Sequence, residues 1–506
     1  MRLLFIPEPA LKFRFGQTVE DPHDGLTLFG PLDPGKIHGI RAGVIGTPDG
    51  IRRYKGWVRA IQTPLYPARA QDALFRPVFP GFRTVFGVPW NEEPEIEIVI
   101  DPDELAAALK ESDRHHRVHR TVELFVSRIL QAKKEEEIAV NVWFVIIPPE
   151  VEKYCRPKSK VEFAVRTHDE GLMTEGMARR FIKKPSLFEQ ANAETVPFQF
   201  EPDFHNQLKA RLLLHDAPIQ ILQENTIAPN DFLKSNGKPI RRVDAPSTIA
   251  WNICSTAYYK ASGRPWKLAR VRDGVCYLGL VFKRDDRSGD PLNACCAAQM
   301  FLDSGDGVVF KGAVGPWYTG KRGEYHLSKE AAMEVASLAI ESYKSKNPRG
   351  KVPRELFVHG RVRMNDAEWD GLQQAAGNRT KIVGVRIRDA TDLKLFSRLD
   401  YPVPRGTAYL QSSSQGYLWT IGFVPRLQTY LGKEVPNPLY IEITHGKATI
   451  ARVMQDVLAL TKLNYNACIF ADGQPVTLKF ADKVGEILTA GPIGDDTPPL
   501  PFKFYI

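Results

Sequence analysis

The spacing of apolar residues predicts strands and helices in alternation along most of the chain. Residues 37–45 read as a strand closed by Gly46-Thr47-Pro48-Asp49-Gly50, and residues 51–61 as the helix that follows. That turn is glycine-rich but has neither a GxGxxG nor a Walker pattern, so it reads as a turn and not as a nucleotide site. Asp101-Pro102-Asp103-Glu104 starts a helix, with Asp as cap and Pro at the first helical position. Val122, Phe125, Val126, Ile129 and Leu130 recur at helical spacing, and the charge run 133–137 ends that helix as a solvated end. Residues 138–147 are apolar throughout and stop at Pro148-Pro149, the pattern of a strand buried on both faces.

Residues 203–214 then predict a helix carrying Leu208, Leu212 and Leu213. A short strand follows at 219–222 and a helix at 247–260, ended near Gly263. The second half has a different order. Residues 276–283 predict a strand, and 294–302 with 308–312 a hairpin. A long helix at 328–344 is followed by a strand at 356–359, a helix at 367–375 and a strand at 381–388. Three antiparallel strands, a helix, then strand, helix and strand is the element order of an RNase H-like fold. The fold class expected is α/β.

Length makes two domains the natural reading. The chain has 506 residues, and single cores stop growing near ~250–300. Gly263-Arg264-Pro265 is a plausible boundary, giving units 1–262 and 263–506. No apolar run reaches the ~20 residues of a membrane span. Residues 1–8 hold Pro7 and Glu8 where a signal peptide needs an uninterrupted apolar stretch, so a cytoplasmic location is expected. The six cysteines include no CxxC pair. Cys254, Cys276, Cys295 and Cys296 sit among apolar or small residues and read as core filling, and no His stands at zinc-finger spacing. Lys and Arg total 68 against 59 Asp and Glu, a net charge of +9 that permits a polyanionic partner without requiring one.

Three stretches resemble the MID–PIWI unit of Argonautes. They are Phe204-His205-Asn206-Gln207-Leu208-Lys209-Ala210-Arg211, then Ala257-Tyr258-Tyr259-Lys260-Ala261-Ser262-Gly263-Arg264-Pro265-Trp266, and Thr461-Lys462-Leu463-Asn464-Tyr465-Asn466 followed by residues 475–482. The opening Phe29-Gly30-Pro31-Leu32 and the ending Pro501-Phe502-Lys503-Phe504-Tyr505-Ile506 resemble the short prokaryotic branch that works with a TIR–APAZ protein, the SPARTA systems. The resemblance spans essentially the whole chain. It implies a Rossmann-like MID domain with an N-terminal lead segment at 1–262 and an RNase H-like PIWI domain at 263–506. The chain has no room for the N and PAZ domains that precede MID in long Argonautes.

The resemblance implies a pocket for a guide 5′ phosphate at His205, Lys209, Gln220 and Lys260. Physical chemistry agrees: His205 and Lys209 stand at i and i+4 on one helix face, and both can donate charge-assisted bonds to phosphate oxygens. Gln220 is expected near the end of its strand and Lys260 at the end of its helix. The bland alternative for His205 and Lys209 is a pair of exposed helix residues. In the family the C-terminal carboxylate, here that of Ile506, shares a Mg²⁺ with the guide phosphate, and Gln220 is placed beside it as a second ligand. An apolar, aromatic tail needs burial, and a terminal strand that only completes the second sheet would also satisfy it.

The resemblance also implies a nuclease centre that has decayed. Active PIWI domains hold two Mg²⁺ ions with a carboxylate-rich tetrad. Val281 stands where the first Asp is expected and His359 where the second is. Asp482 is a possible remnant of the last acid, and the Glu that swings in from a loop has no clear counterpart, Glu324 being one candidate. Val cannot ligate a metal, so no guided slicing is expected. The function implied is a guide-RNA-binding sensor that recognises complementary single-stranded DNA and activates NAD⁺ hydrolysis by the TIR–APAZ partner, in defence against plasmids or phage. The alternatives are a residual metal nuclease using Asp482 with Asp303 or Glu324, an APAZ partner carrying a sirtuin-type domain, and a plain protein scaffold.

Overall fold

A computed structural model describes residues 2–136, 139–162, 173–261, 263–284, 293–302, 307–316, 324–347, 349–430, 432–492 and 500–506. The first half is organised on a four-stranded parallel sheet in the order Ile96–Val99, Ala42–Gly46, Val142–Ile147, Ile219–Gln223. Alternation along Val142–Ile147 explains its unbroken apolar run. Val142, Phe144 and Ile146 enter one core, and Trp143, Val145 and Ile147 enter another beneath helices Arg114–Glu135 and Phe204–Leu212.

The strand expected at 37–45 is confined to Ala42–Gly46. Gly39 turns the chain first: its amide bonds the Lys36 carbonyl and its φ is +62°, where a Cβ would lie 1.9 Å from the Pro89 oxygen. The next helix starts earlier than expected, at Pro48, because the Thr47 hydroxyl caps it by accepting the Gly50 amide at 3.1 Å.

The second half is built on a ten-stranded sheet. At its centre Val275–Arg284, Asn293–Phe301 and Gly307–Pro316 run antiparallel, and Glu355–Gly360 and Lys381–Asp389 join parallel to the first of them. The expected RNase H-like element order is thus present. Helices Lys329–Lys346 and Asp366–Ala376 cover one face through Leu278, Leu356 and Val358. Helices Ile450–Leu460 and Ala481–Thr489 lie against the other, which carries Tyr277, Val281 and Phe357. Among the cysteines, Cys254 and Cys276 are fully buried, whereas the side chains of Cys295 and Cys296 lie outside the described residues. Among the described residues no helix is long and apolar enough to cross a membrane.

The lead segment binds the second half as well as the first. Arg2–Phe5 forms the outermost strand of the ten-stranded sheet, antiparallel to Thr407–Leu410. Leu11–Lys12 pairs with Lys267–Leu268. Buried Arg405 and Lys462 close on Glu8 at 2.8 and 3.0 Å. The stretches that carry the Argonaute resemblance also interlock. Leu32 bonds Pro265, Asp33 clamps the Arg264 guanidinium at 2.9 and 3.0 Å, Trp266 donates to the Lys462 carbonyl at 3.1 Å, and Tyr465 donates to the Trp266 carbonyl at 3.0 Å.

One core cluster therefore runs from Trp251 and Tyr258 through Trp266 to Tyr465 and Ile506. Trp266→Ala should destabilise the protein by ~3–5 kcal/mol, the usual result of emptying a large buried site. A denaturant midpoint within error of the parent protein would contradict that interlock.

Candidate nucleic-acid interface

Asp203 caps helix Phe204–Leu212 by accepting the Asn206 amide at 2.9 Å. Phe204, Leu208 and Leu212 face the core, which fixes the helix rotation and sets His205 and Lys209 on its neighbouring face. Lys209 is only 5 % exposed, and its Nζ donates to the Tyr505 carbonyl at 3.1 Å. Lys260, 1 % exposed in the last turn of helix Pro246–Ala261, donates to the Ile219 carbonyl at 2.7 Å and to Gln220 Oε1 at 2.8 Å. Gln220 lies at the start of its strand and not near its end, because Ile219–Gln223 begins beside the end of the Lys260 helix. The structure thus gathers Lys209, Lys260 and Gln220 with the C-terminal tail, and places His205 one turn before Lys209.

The tail satisfies both readings given to it. Leu500–Pro501 pairs with Val308 and Val309 at the sheet edge. The chain then turns inward, burying Phe502, Phe504, Tyr505 and Ile506.

Burial dominates the electrostatics here. Burial, and then the charge of Lys483, lower the Lys209 pKa to about 7. Burial and then Lys209 push Lys260 well below the ordinary lysine range. The His205 residue is exposed to solvent on one side but has protein packed around it, and that burial followed by the charge of Lys209 keeps the imidazole neutral at neutral pH. The hydrogen bonds of Lys209 and Lys260 described above all go to neutral oxygens. A buried ammonium group without a counter-charge is unfavourable, which is why both lysines are pushed toward the neutral form. Lys483 was not found from sequence. It stands at the start of helix Ala481–Thr489, which packs on Phe204–Leu212, and no spacing rule links it to Lys209.

A second concavity, about 150 Å³, lies at the ends of strands Val275–Arg284 and Glu355–Gly360. Its wall brings together Val281 and Asp482, two of the positions singled out from sequence, along with Phe282, Tyr325, Arg361 and Glu368. His359 is fully buried on the sheet face packed by residues 476–479, with Nδ1 3.0 Å from Thr477 Oγ1, and burial lowers its pKa to about 3. Gly279 permits that packing: a Cβ there would lie 1.9 Å from the Thr477 carbonyl. Asp482 pairs with Arg361 at 2.9 Å. The Glu368 carboxylate is engaged by the amides of Leu327 and Asn365 and by His326. Glu324 precedes Tyr325 in the chain, and Asp303 lies outside the described residues. Among the described residues no three His, Cys, Asp or Glu side chains gather as a metal site.

The lowered pKa of Lys209 makes stability depend on pH. Between about 7 and 10.5 the unfolded chain binds a proton there that the folded chain lacks. Stability therefore rises with pH through that window and loses this contribution as pH falls toward 7. Lys209→Met should flatten the slope and raise the midpoint of the ligand-free protein at neutral pH. Thermal unfolding from pH 6.5 to 10 measures both, and an unchanged slope would sink the assignment.

No family model and no curated protein sequence matches the chain. Solved structures do. An Argonaute from Clostridium butyricum, bound to a guide DNA and a 19-mer target DNA, superposes with a TM-score of 0.61 at 15 % identity over 97 % of this chain and 53 % of that one. Aquifex aeolicus Argonaute gives 0.54 at 13 % identity over 100 % and 57 %. Aa-Ago with externally bound siRNA gives 0.52 at 12 % over 100 % and 56 %. The chain spans a little over half the length of these structures. It has an Argonaute-like fold, in which a Rossmann-like MID unit precedes an RNase H-like PIWI unit.

Proposed function

We propose that this chain is a guide-binding, short Argonaute-type subunit that anchors the 5′ phosphate of a guide RNA. It recognises complementary single-stranded DNA and signals to a TIR–APAZ partner that hydrolyses NAD⁺, without cutting the target itself. The observation that carries the reading is the burial of Lys209 and Lys260 against neutral oxygens, next to an inserted C-terminus. A terminal phosphate dianion matches that charge. The exposed His205 and Lys483 on the helix packed against it would add donors at the surface of the site. The C. butyricum Argonaute is bound to a guide and a target DNA, which supports nucleic acid as the ligand here. The RNA guide, the DNA target and the partner follow from the resemblance of the chain to the SPARTA branch.

Mg²⁺ fits the pocket only together with phosphate. The Ile506 carboxylate and the Gln220 amide oxygen are hard donors, but one carboxylate among lysines is too little negative charge to hold the ion alone. When bound, the ion would neutralise phosphate charge, while Lys209, Lys260 and His205 orient the phosphate. At the second concavity the reading without slicing is supported by Val281 in the wall and by Asp482 already paired with Arg361. A residual nuclease remains the competing reading because Asp482 is retained there.

Guides with a 5′ phosphate should bind about tenfold or more tightly than the same guides with a 5′ hydroxyl. His205→Ala with Lys209→Ala should remove the difference, and affinity should fall steeply with salt. Equal binding of the two guides would refute the pocket. Cleavage of a matched target with Mg²⁺ or Mn²⁺ that disappears in Asp482→Ala would establish the nuclease reading instead.

A further inference from the structure

The ion pair at the second concavity has no structural task that explains it. Arg361 and Asp482 keep 41 % and 52 % of their side chains exposed, and a pair so wet contributes little to stability. Among the described residues Arg361 has one other side-chain partner, Gln474 at 3.5 Å. Behind the pair the wall is apolar, formed by Leu280, Val281, Phe282 and Met364. A charge at the mouth of an apolar wall is screened from one side only, so it attracts an approaching anion more strongly than a charge on a flat surface. Beside it, Arg363 and Arg386 share the single carboxylate of Glu442 at 2.5 and 3.6 Å. Three guanidinium groups and the carboxylates of Asp482 and Glu442 therefore stand together at this mouth, with the Glu368 carboxylate in the wall.

We propose that Arg361 and Asp482 form an exchangeable phosphate clamp: Asp482 holds Arg361 in the free protein, and a backbone phosphodiester of the bound nucleic acid displaces it. A phosphodiester offers the guanidinium the same bidentate acceptor geometry as a carboxylate, so the exchange breaks one wet ion pair and forms another. Arg361 then supplies, from a side chain, positive charge at a place where the wall can hold no cation of its own. The inference rests on the proposal that this protein binds nucleic acid. It goes further by naming the residue that would contact a phosphate far from the 5′ pocket.

The helix that carries Asp482 also carries Lys483, which faces the Lys209 pocket. Adjacent residues of one helix thus belong to the two sites.

The test uses the full chain loaded with a labelled guide. Arg361→Gln should weaken matched-target binding about tenfold while leaving guide affinity unchanged, and Arg361→Lys should restore part of the loss. Asp482→Asn should tighten target binding, the opposite of what a metal-ligand role predicts for that residue. A scan with single uncharged methylphosphonate linkages, first in the target and then in the guide, identifies the strand. The parent protein should lose affinity at one or two linkages where Arg361→Gln loses none. Unchanged target affinity in both Arg361→Gln and Asp482→Asn, or identical linkage profiles for parent and Arg361→Gln, would overturn the clamp. Guide affinity that ignores the 5′ phosphate would instead overturn the pocket at Lys209, so the two ideas fail separately.

Discussion

Lys209 and Lys260 are buried within reach of each other's charge, and the surrounding structure supplies the acceptors they need. An ammonium group out of water needs acceptors, and these two take theirs from two distant segments: the Tyr505 carbonyl of the tail, and the Ile219 carbonyl and Gln220 amide of one strand. Each acceptor fixes an element. The C-terminal tail must enter the core, the strand Ile219–Gln223 must begin beside the end of the Lys260 helix, and the Phe204–Leu212 helix must present Lys209 to the tail. Neutral oxygens satisfy the hydrogens without neutralising the charge. The free protein therefore carries an unfavourable term that an anion relieves, the usual relation between a binding site and the stability it sacrifices.

This requirement ties the two halves into one body. The tail that reaches Lys209 belongs to the second half by sequence, and the lead segment that opens the chain finishes as the outer strand of the second sheet. Between them lies the helix Ala481–Thr489, whose first turn touches both concavities. A ligand in the Lys209 pocket acts on a joint, so its effect need not remain within the first half.

Element order was readable from sequence because periodicity is local. The apolar run before Pro148, the capped start at Asp101 and the helical spacing after Ser328 each depend on neighbours a few residues away, and each is present. Boundaries shifted where a single residue overrode the pattern, as at Gly39 and Thr47. The pocket residues were named because the stretches around them resemble a known family. Burial, which gives them their chemistry, was not visible, since it comes from a tail some 300 residues away. Arg361 and Lys483 were missed for the same reason. Nothing near either one marks it, and the partner of Arg361 is 121 positions further on.

The two concavities hold their positive charge in opposite ways, and this sets an order of events. In the first, the lysines are buried without a counter-charge and are pushed toward the neutral form, so an anion bound there would restore their charge. In the second, the charge is exposed and already compensated by Asp482, so an incoming phosphate gains only the difference between two wet pairs. Under the proposed function, a site of the first kind would anchor one end of a strand. A site of the second kind responds only when something else has brought a phosphate to it and held it there. Pairing along an anchored strand would do that, and under the proposed function the first site would then be a tether and the second a detector of how far the bound nucleic acid extends.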